Sequence, residues 1–140
     1  MKRKKRLSMF LVENHEDTLN AMTMYLELQG HTVQSARDMK SALELAPTTR
    51  FDVLISDIGL PDGDGWELLR RLSAQRPIRA IAMSGFGMNA DRYKSKAAGF
   101  RDHLIKPFLI EELEAALQKI IEEIPEKKTV RRPRKKLPSA

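Results

Sequence analysis

Residues 51–69 read FDVLISDIGLPDGDGWELL. The apolar run Val53-Leu54-Ile55 ends in Asp57, turn residues crowd the interval from Pro61 to Gly65, and an amphipathic pattern starts at Trp66. That order predicts a buried strand, a loop and a helix, with a carboxylate delivered to the C-terminal end of the strand. In an open α/β sheet, ligands bind outside the C-terminal ends of the strands. Asp57 is therefore the residue whose partners the rest of the chain has to supply.

Toward the N-terminus, residues 7–12 form an apolar run of strand length that stops at Glu13-Asn14-His15-Glu16-Asp17. Leu19, Met22 and Leu26 recur at helical spacing and predict a helix over 17–29, with Gly30 as its stop. Residues 31–36 alternate as a short strand. Met39, Ala42, Leu43 and Ala46 predict a helix over 38–46, closed by Pro47.

Toward the C-terminus, Trp66, Leu68, Leu69 and Leu72 mark a helix that ends before Pro77. A strand over 78–83 stops at Ser84, and a more polar helix over 89–98 stops at Gly99. A strand over 102–105 ends at Lys106-Pro107. The stripe Ile110, Leu113, Leu117, Ile120, Ile121 and Ile124 predicts a last helix over 110–124. Five strands alternating with five helices imply an α/β fold with a parallel sheet covered on both faces.

The chain has 140 residues, one domain by size, with 41% hydrophobic and 31% charged residues. It has no cysteine, which excludes disulfides and thiolate metal sites. No apolar run approaches the roughly 18 residues of a membrane span, and LSMFLV after the basic start is too short for a signal peptide, so the sequence reads as cytoplasmic. The net charge of +6 hides an asymmetry: residues 1–6 and 126–140 together carry +11, and the body carries −5. The organisation is a basic tail over 1–6, one domain over 7–124, and a basic tail over 125–140 that reads as disordered. Such tails suit solvated ends, or contacts with nucleic acid or anionic lipid; no aromatics interleave them to read bases.

Just after the strands stand Glu13 and Asn14, Asp57, Ser84 and Lys106, all on one edge of a parallel sheet. Two carboxylates, an amide oxygen and a backbone carbonyl suit a hard cation such as Mg²⁺. A carboxylate on a metal, a lysine opposite it and a hydroxyl between them are what a transferred phosphoryl group needs.

In these four segments the chain resembles the receiver domains of two-component response regulators. LVENHEDT is similar to the acidic loop of that family, DVLISDIGLPDGDGWELL to its phosphoacceptor segment, AIAMSG to its hydroxyl segment and HLIKPF to its lysine segment. The resemblance covers residues 8–124. It implies a flavodoxin-like, doubly wound, five-stranded sheet of order 2-1-3-4-5 with five helices. It also implies that Asp57 is the phosphoacceptor and that Ser84 and Lys106 hold the phosphoryl group. The implied Mg²⁺ ligands are Glu13, Asp57, the Gly59 carbonyl and Asn14 through water, and Lys106-Pro107 is implied as a cis peptide. The partner implied is a histidine kinase or a histidine phosphotransfer protein. Output would run through the face made by the fourth helix, fifth strand and fifth helix, with Ser84 and His103 as switch residues.

The departures from the family pattern carry information. The second acidic position after the first strand holds Asn14, which removes one negative charge and predicts weaker Mg²⁺ binding. His103 stands where Tyr or Phe is usual, which makes the switch open to titration. Leu109 replaces a helix-capping Asp or Ser. Gly59 and Phe86 offer no side chain to position an attacking water, which predicts slow loss of phosphoryl. Asn14 also supports an alternative, a degenerate receiver acting as a phosphorylation-independent scaffold. A haloacid-dehalogenase-type phosphatase would need a second Asp at position 59, and Gly59 excludes it. Asp62 and Asp64 read as turn and helix-start charges, Trp66 as a packing residue and His15 as a loop histidine. The sequence names neither the kinase nor the downstream partner.

Overall fold

The computed structural model describes residues 5–85 and 89–125, with the side chains of 89 and 90 left aside. Five parallel strands form one sheet: β1 (Ser8–Val12), β2 (Thr32–Ala36), β3 (Val53–Asp57), β4 (Ala80–Ser84) and β5 (Asp102–Ile105), in the order β2-β1-β3-β4-β5. The helices are α1 (Glu16–Leu28), α2 (Met39–Leu45), α3 (Gly65–Ser73), α4 (Asn89–Ala98) and α5 (Ile110–Glu123). This is the flavodoxin-like order, with the chain reversing direction across the sheet between β1 and β3. Among the described residues, no helix is long and apolar enough to cross a membrane.

Strand parity divides the core. Met9, Leu11, Val53, Ile55, Ile81 and Met83 face α1 and α5, where Leu19, Met22, Leu26, Leu113, Leu117 and Ile120 meet them. Phe10, Val12, Leu54, Ala80 and Ala82 face the other way and pack with Ala42, Leu68, Leu69 and Leu72 of α2 and α3. Strands apolar on both faces are what a covered parallel sheet requires, and β1, β3 and β4 are nearly continuous apolar runs.

Several local expectations shift. The second helix ends at Leu45, before Pro47 as expected, but a 3₁₀ turn, Ala46–Thr48, then carries the chain through the proline, which costs no hydrogen bond at a helical start. The fourth strand begins at Ala80 and includes Ser84. The turn cluster contains a two-residue antiparallel ladder, Gly59–Leu60 against Gly63–Asp64. Leu109 brings no capping side chain, yet its backbone N–H donates to Glu112 Oε1 at 2.9 Å, which satisfies that end of α5 by another route. The basic tails, residues 5, 6 and 125 apart, and Phe86 lie outside the described residues.

Candidate functional site

The strand ends converge as the topology requires. Glu13, Asn14, Asp57, Gly59, Ser84 and Lys106 line one cleft of about 590 Å³, joined by Thr18 and Asp91. The register places them: β3 pairs in parallel with β4, setting Asp57 beside Met83, and β4 pairs with β5, setting Ser84 beside Ile105.

Lys106 ties the two carboxylates together. Its Nζ donates to Asp57 Oδ2 at 2.8 Å and to Glu13 Oε1 at 2.5 Å. Glu13 is 1% exposed, and its Oε2 accepts the His15 backbone N–H at 2.9 Å. Asp57 Oδ1 accepts the Gly59 N–H at 3.1 Å. Burial by itself lowers the Lys106 pKa; the hydrogen bonds and charges of Asp57 and Glu13 outweigh it and leave the ammonium more basic than an ordinary lysine. The Lys106-Pro107 peptide is cis.

The donor set suits a hard cation that keeps much of its water. The cleft holds two carboxylates sharing one ammonium, which leaves a net negative charge, with the neutral oxygens of Asn14 and Gly59 beside them. Among the described residues no group of three His, Cys, Asp or Glu side chains gathers as a metal centre.

Ser84 is buried, and its Oγ lies 2.8 Å from His103 Nε2. His103 points inward, behind the cleft rather than into it. Burial first, and the Arg92 charge second, push its pKa down against the opposing pull of Asp91 and Asp102.

Two neighbours do more than the sequence reading gave them, and a third does what it suggested. Asp62 is more than a turn residue: its carboxylate accepts from the backbone N–H groups of Met39 at 2.7 Å and Lys40 at 2.9 Å, so the loop after β3 caps α2. Asp64 caps α3 through Glu67 N at 2.8 Å, as its position at the helix start suggested. Trp66 packs partly against the core, and its indole N–H also reaches Ser95 Oγ on α4 at 3.0 Å. The signal for that bond was present in principle, because a partly buried indole N–H needs an acceptor.

Comparison with known proteins agrees with this geometry. The family model for the response regulator receiver domain matches residues 9–118. The KDP operon transcriptional regulatory protein KdpE of Escherichia coli is 34% identical over 111 residues, covering 79% of this chain and 49% of that protein. The probable transcriptional regulator ycf29 of Porphyra purpurea is 37% identical over 117 residues, covering 81% and 56%. The chain thus spans about half the length of the curated relatives it matches. Among solved structures, the signal receiver domain of an HD domain-containing protein from Pseudomonas fluorescens superposes with a TM-score of 0.79 at 30% identity, covering 85% of this chain and 97% of that one. The chemotaxis response regulator CheY4 of Vibrio cholerae gives 0.76 at 26% identity, covering 83% and 99%. The sheet order, the converging strand ends and these matches together make the chain a member of the response regulator receiver domain family of two-component signalling.

Proposed function

We propose that this domain is a phosphorylation-dependent switch whose phosphoacceptor is Asp57. The observation that carries the reading is the Lys106 ammonium held between Asp57 and Glu13 at the mouth of the sheet. A carboxylate oxygen of Asp57 attacks the phosphorus of a phosphohistidine on a histidine kinase or phosphotransfer protein. A P–O bond forms, the P–N bond breaks, and the departing imidazole takes a proton. Lys106 changes partners, from the carboxylate to a phosphoryl oxygen, and the Ser84 hydroxyl donates to another. Glu13, Asp57, the Gly59 carbonyl and Asn14 through water are the groups that would hold Mg²⁺, which supplies positive charge opposite the developing negative oxygens when bound. The domain is no enzyme toward other substrates in this reading; it turns over its own phosphoryl group. The added charge at Asp57 draws on Ser84 and biases the surface of α4, β5 and α5.

The test is incubation with Mg²⁺ and acetyl phosphate, followed by mass mapping. A base-labile gain of one phosphoryl group confined to the peptide containing Asp57, lost in Asp57→Asn, is expected. No gain from acetyl phosphate or from a histidine kinase overturns the reading. That result would favour a phosphorylation-independent scaffold, a second reading that the amide of Asn14 supports.

A further inference from the structure

Behind Ser84 a row of polar groups runs away from the cleft into the seam between α3 and α4. His103 Nε2 lies 2.8 Å from Ser84 Oγ and His103 Nδ1 lies 2.8 Å from Ser95 Oγ. Trp66 Nε1 donates to the same Ser95 oxygen at 3.0 Å. Ser84, Ser95 and His103 are all buried, and Ser95 is 1% exposed.

The direction of the protons follows from counting them. An indole N–H only donates, so Ser95 Oγ accepts from Trp66. A hydroxyl carries a single proton, and among the described residues the one remaining hydrogen-bond partner of Ser95 Oγ is His103 Nδ1. Were Nδ1 to carry a proton, the Ser95 hydroxyl proton would be buried without an acceptor, which is unfavourable. Ser95 therefore donates to Nδ1. Burial and the Arg92 charge keep the imidazole neutral against Asp91 and Asp102, so its proton sits on Nε2 and is donated to Ser84 Oγ. Each link then polarises the next in the same sense.

Strand parity makes the arrangement specific. His103 pairs with Ala82, and Ser84 stands two residues after Ala82 on the same face of the sheet. The small side chain of Ala82 leaves room for an inward imidazole beneath α4. Ser95 is the one buried polar residue that α4 contributes among its described side chains.

We propose that Trp66, Ser95 and His103 form a one-way hydrogen-bond relay that fixes Ser84 as an acceptor, so that the Ser84 hydroxyl proton points away from the imidazole. Resting on the reading of Asp57 as phosphoacceptor, this makes Trp66 and Ser95 positioning residues for the phosphoryl-binding hydroxyl. With a phosphoryl group on Asp57, the Ser84 proton goes to a phosphoryl oxygen and every bond back to the indole tightens. The opposite tautomer would spend that proton on His103.

The first measurement needs no phosphorylation: nitrogen-15 NMR of the full chain near pH 7.5 reports which imidazole nitrogen of His103 is protonated. A proton on Nε2 is expected, and a proton on Nδ1, or an even mixture, overturns the relay. Ser95→Ala then removes the acceptor of Trp66 and the donor to Nδ1, and Ser95→Thr keeps both. The rate of labelling by acetyl phosphate is expected to fall roughly threefold to tenfold in Ser95→Ala, the effect of one hydrogen bond, and to return to within about twofold in Ser95→Thr. Trp66 is the only tryptophan, so its indole N–H resonance is unambiguous, and it should move downfield on phosphorylation. Labelling of Ser95→Ala at the wild-type rate overturns the positioning role. A wild type that takes no label refutes the phosphoacceptor reading, and the tautomer still decides whether the relay exists.

Discussion

Lys106 Nζ stands 2.8 Å from Asp57 Oδ2, an ion pair with the lysine 23% and the aspartate 14% exposed. The same ammonium bonds the buried Glu13, so Lys106→Met leaves two carboxylates facing each other without a cation. The substitution should abolish labelling at Asp57. It should also lower stability by about 2 kcal/mol, below the 3–5 kcal/mol of a fully buried pair because water reaches the cleft. Labelling by mass and urea denaturation check the two parts.

Asn14→Asp restores a third acid at the edge of the cleft. Mg²⁺ binding should tighten roughly tenfold, as one more carboxylate near a divalent ion commands, and unfolding in the absence of the ion should become easier. Calorimetric titration with Mg²⁺, with and without the substitution, reads the first effect; denaturation in a chelator reads the second.

Acid should destabilise the domain through two histidines. Burial, against the pull of Asp91 and Asp102, lowers the pKa of His103, and burial lowers that of His31 against the pull of Glu114. His31 Nδ1 accepts the Leu7 N–H at 3.0 Å, which only the neutral ring can do. Below the ordinary value of 6.5 the unfolded chain binds protons that the folded chain resists, so stability is full above that pH and declines as pH falls through it. Denaturation midpoints between pH 8 and 5 should decline, and His31→Gln should flatten part of the slope.

Two glycines near the site should respond unequally to alanine. A Cβ on Gly65 would lie 2.6 Å from the Asp57 carbonyl oxygen and 3.1 Å from Ile58 Cα, both backbone atoms in the core of the site. Gly65→Ala should cost about 2 kcal/mol or more and impair labelling, because the segment carrying Asp57 has to move. At Gly63 the new atom meets the end of the Met39 side chain, which can swing away, so Gly63→Ala should cost under about 1 kcal/mol. Thermal unfolding of the pair discriminates them.

Asp64→Ala removes the cap of α3 at Glu67 N and should cost about 1 kcal/mol. Asp62→Ala frees the first turn of α2 from the loop after β3 and should raise hydrogen exchange at Met39 and Lys40 without touching α3.

The sheet was legible because β1, β3 and β4 are short apolar runs ending in polar residues and alternating with helical patterns, as covered parallel strands are. The convergence of Glu13, Asp57, Ser84 and Lys106 followed from topology alone, since parallel strands put all their C-terminal ends on one edge. What escaped depended on distance between elements rather than on period. Nothing in local sequence says that Asp62 reaches α2 across 22 residues, or that Ser95 is the acceptor for Trp66. Likewise a proline rule marks the end of α2 but does not contain the 3₁₀ turn, Ala46–Thr48, that follows it.

The two apolar clusters hold α1, α5, α2 and α3, whereas α4 adds, among its described side chains, only Ala98 at the margin of one of them. Among its described side chains, α4 is held instead by the hydroxyl of Ser95 and by Lys94, whose ammonium lies over the Trp66 ring. A helix anchored by apolar area can leave its seat only by opening a void, but one anchored by directional bonds can trade one partner for another. Exchanging the partners of Ser95 would therefore leave the two apolar clusters beneath α1, α2, α3 and α5 untouched.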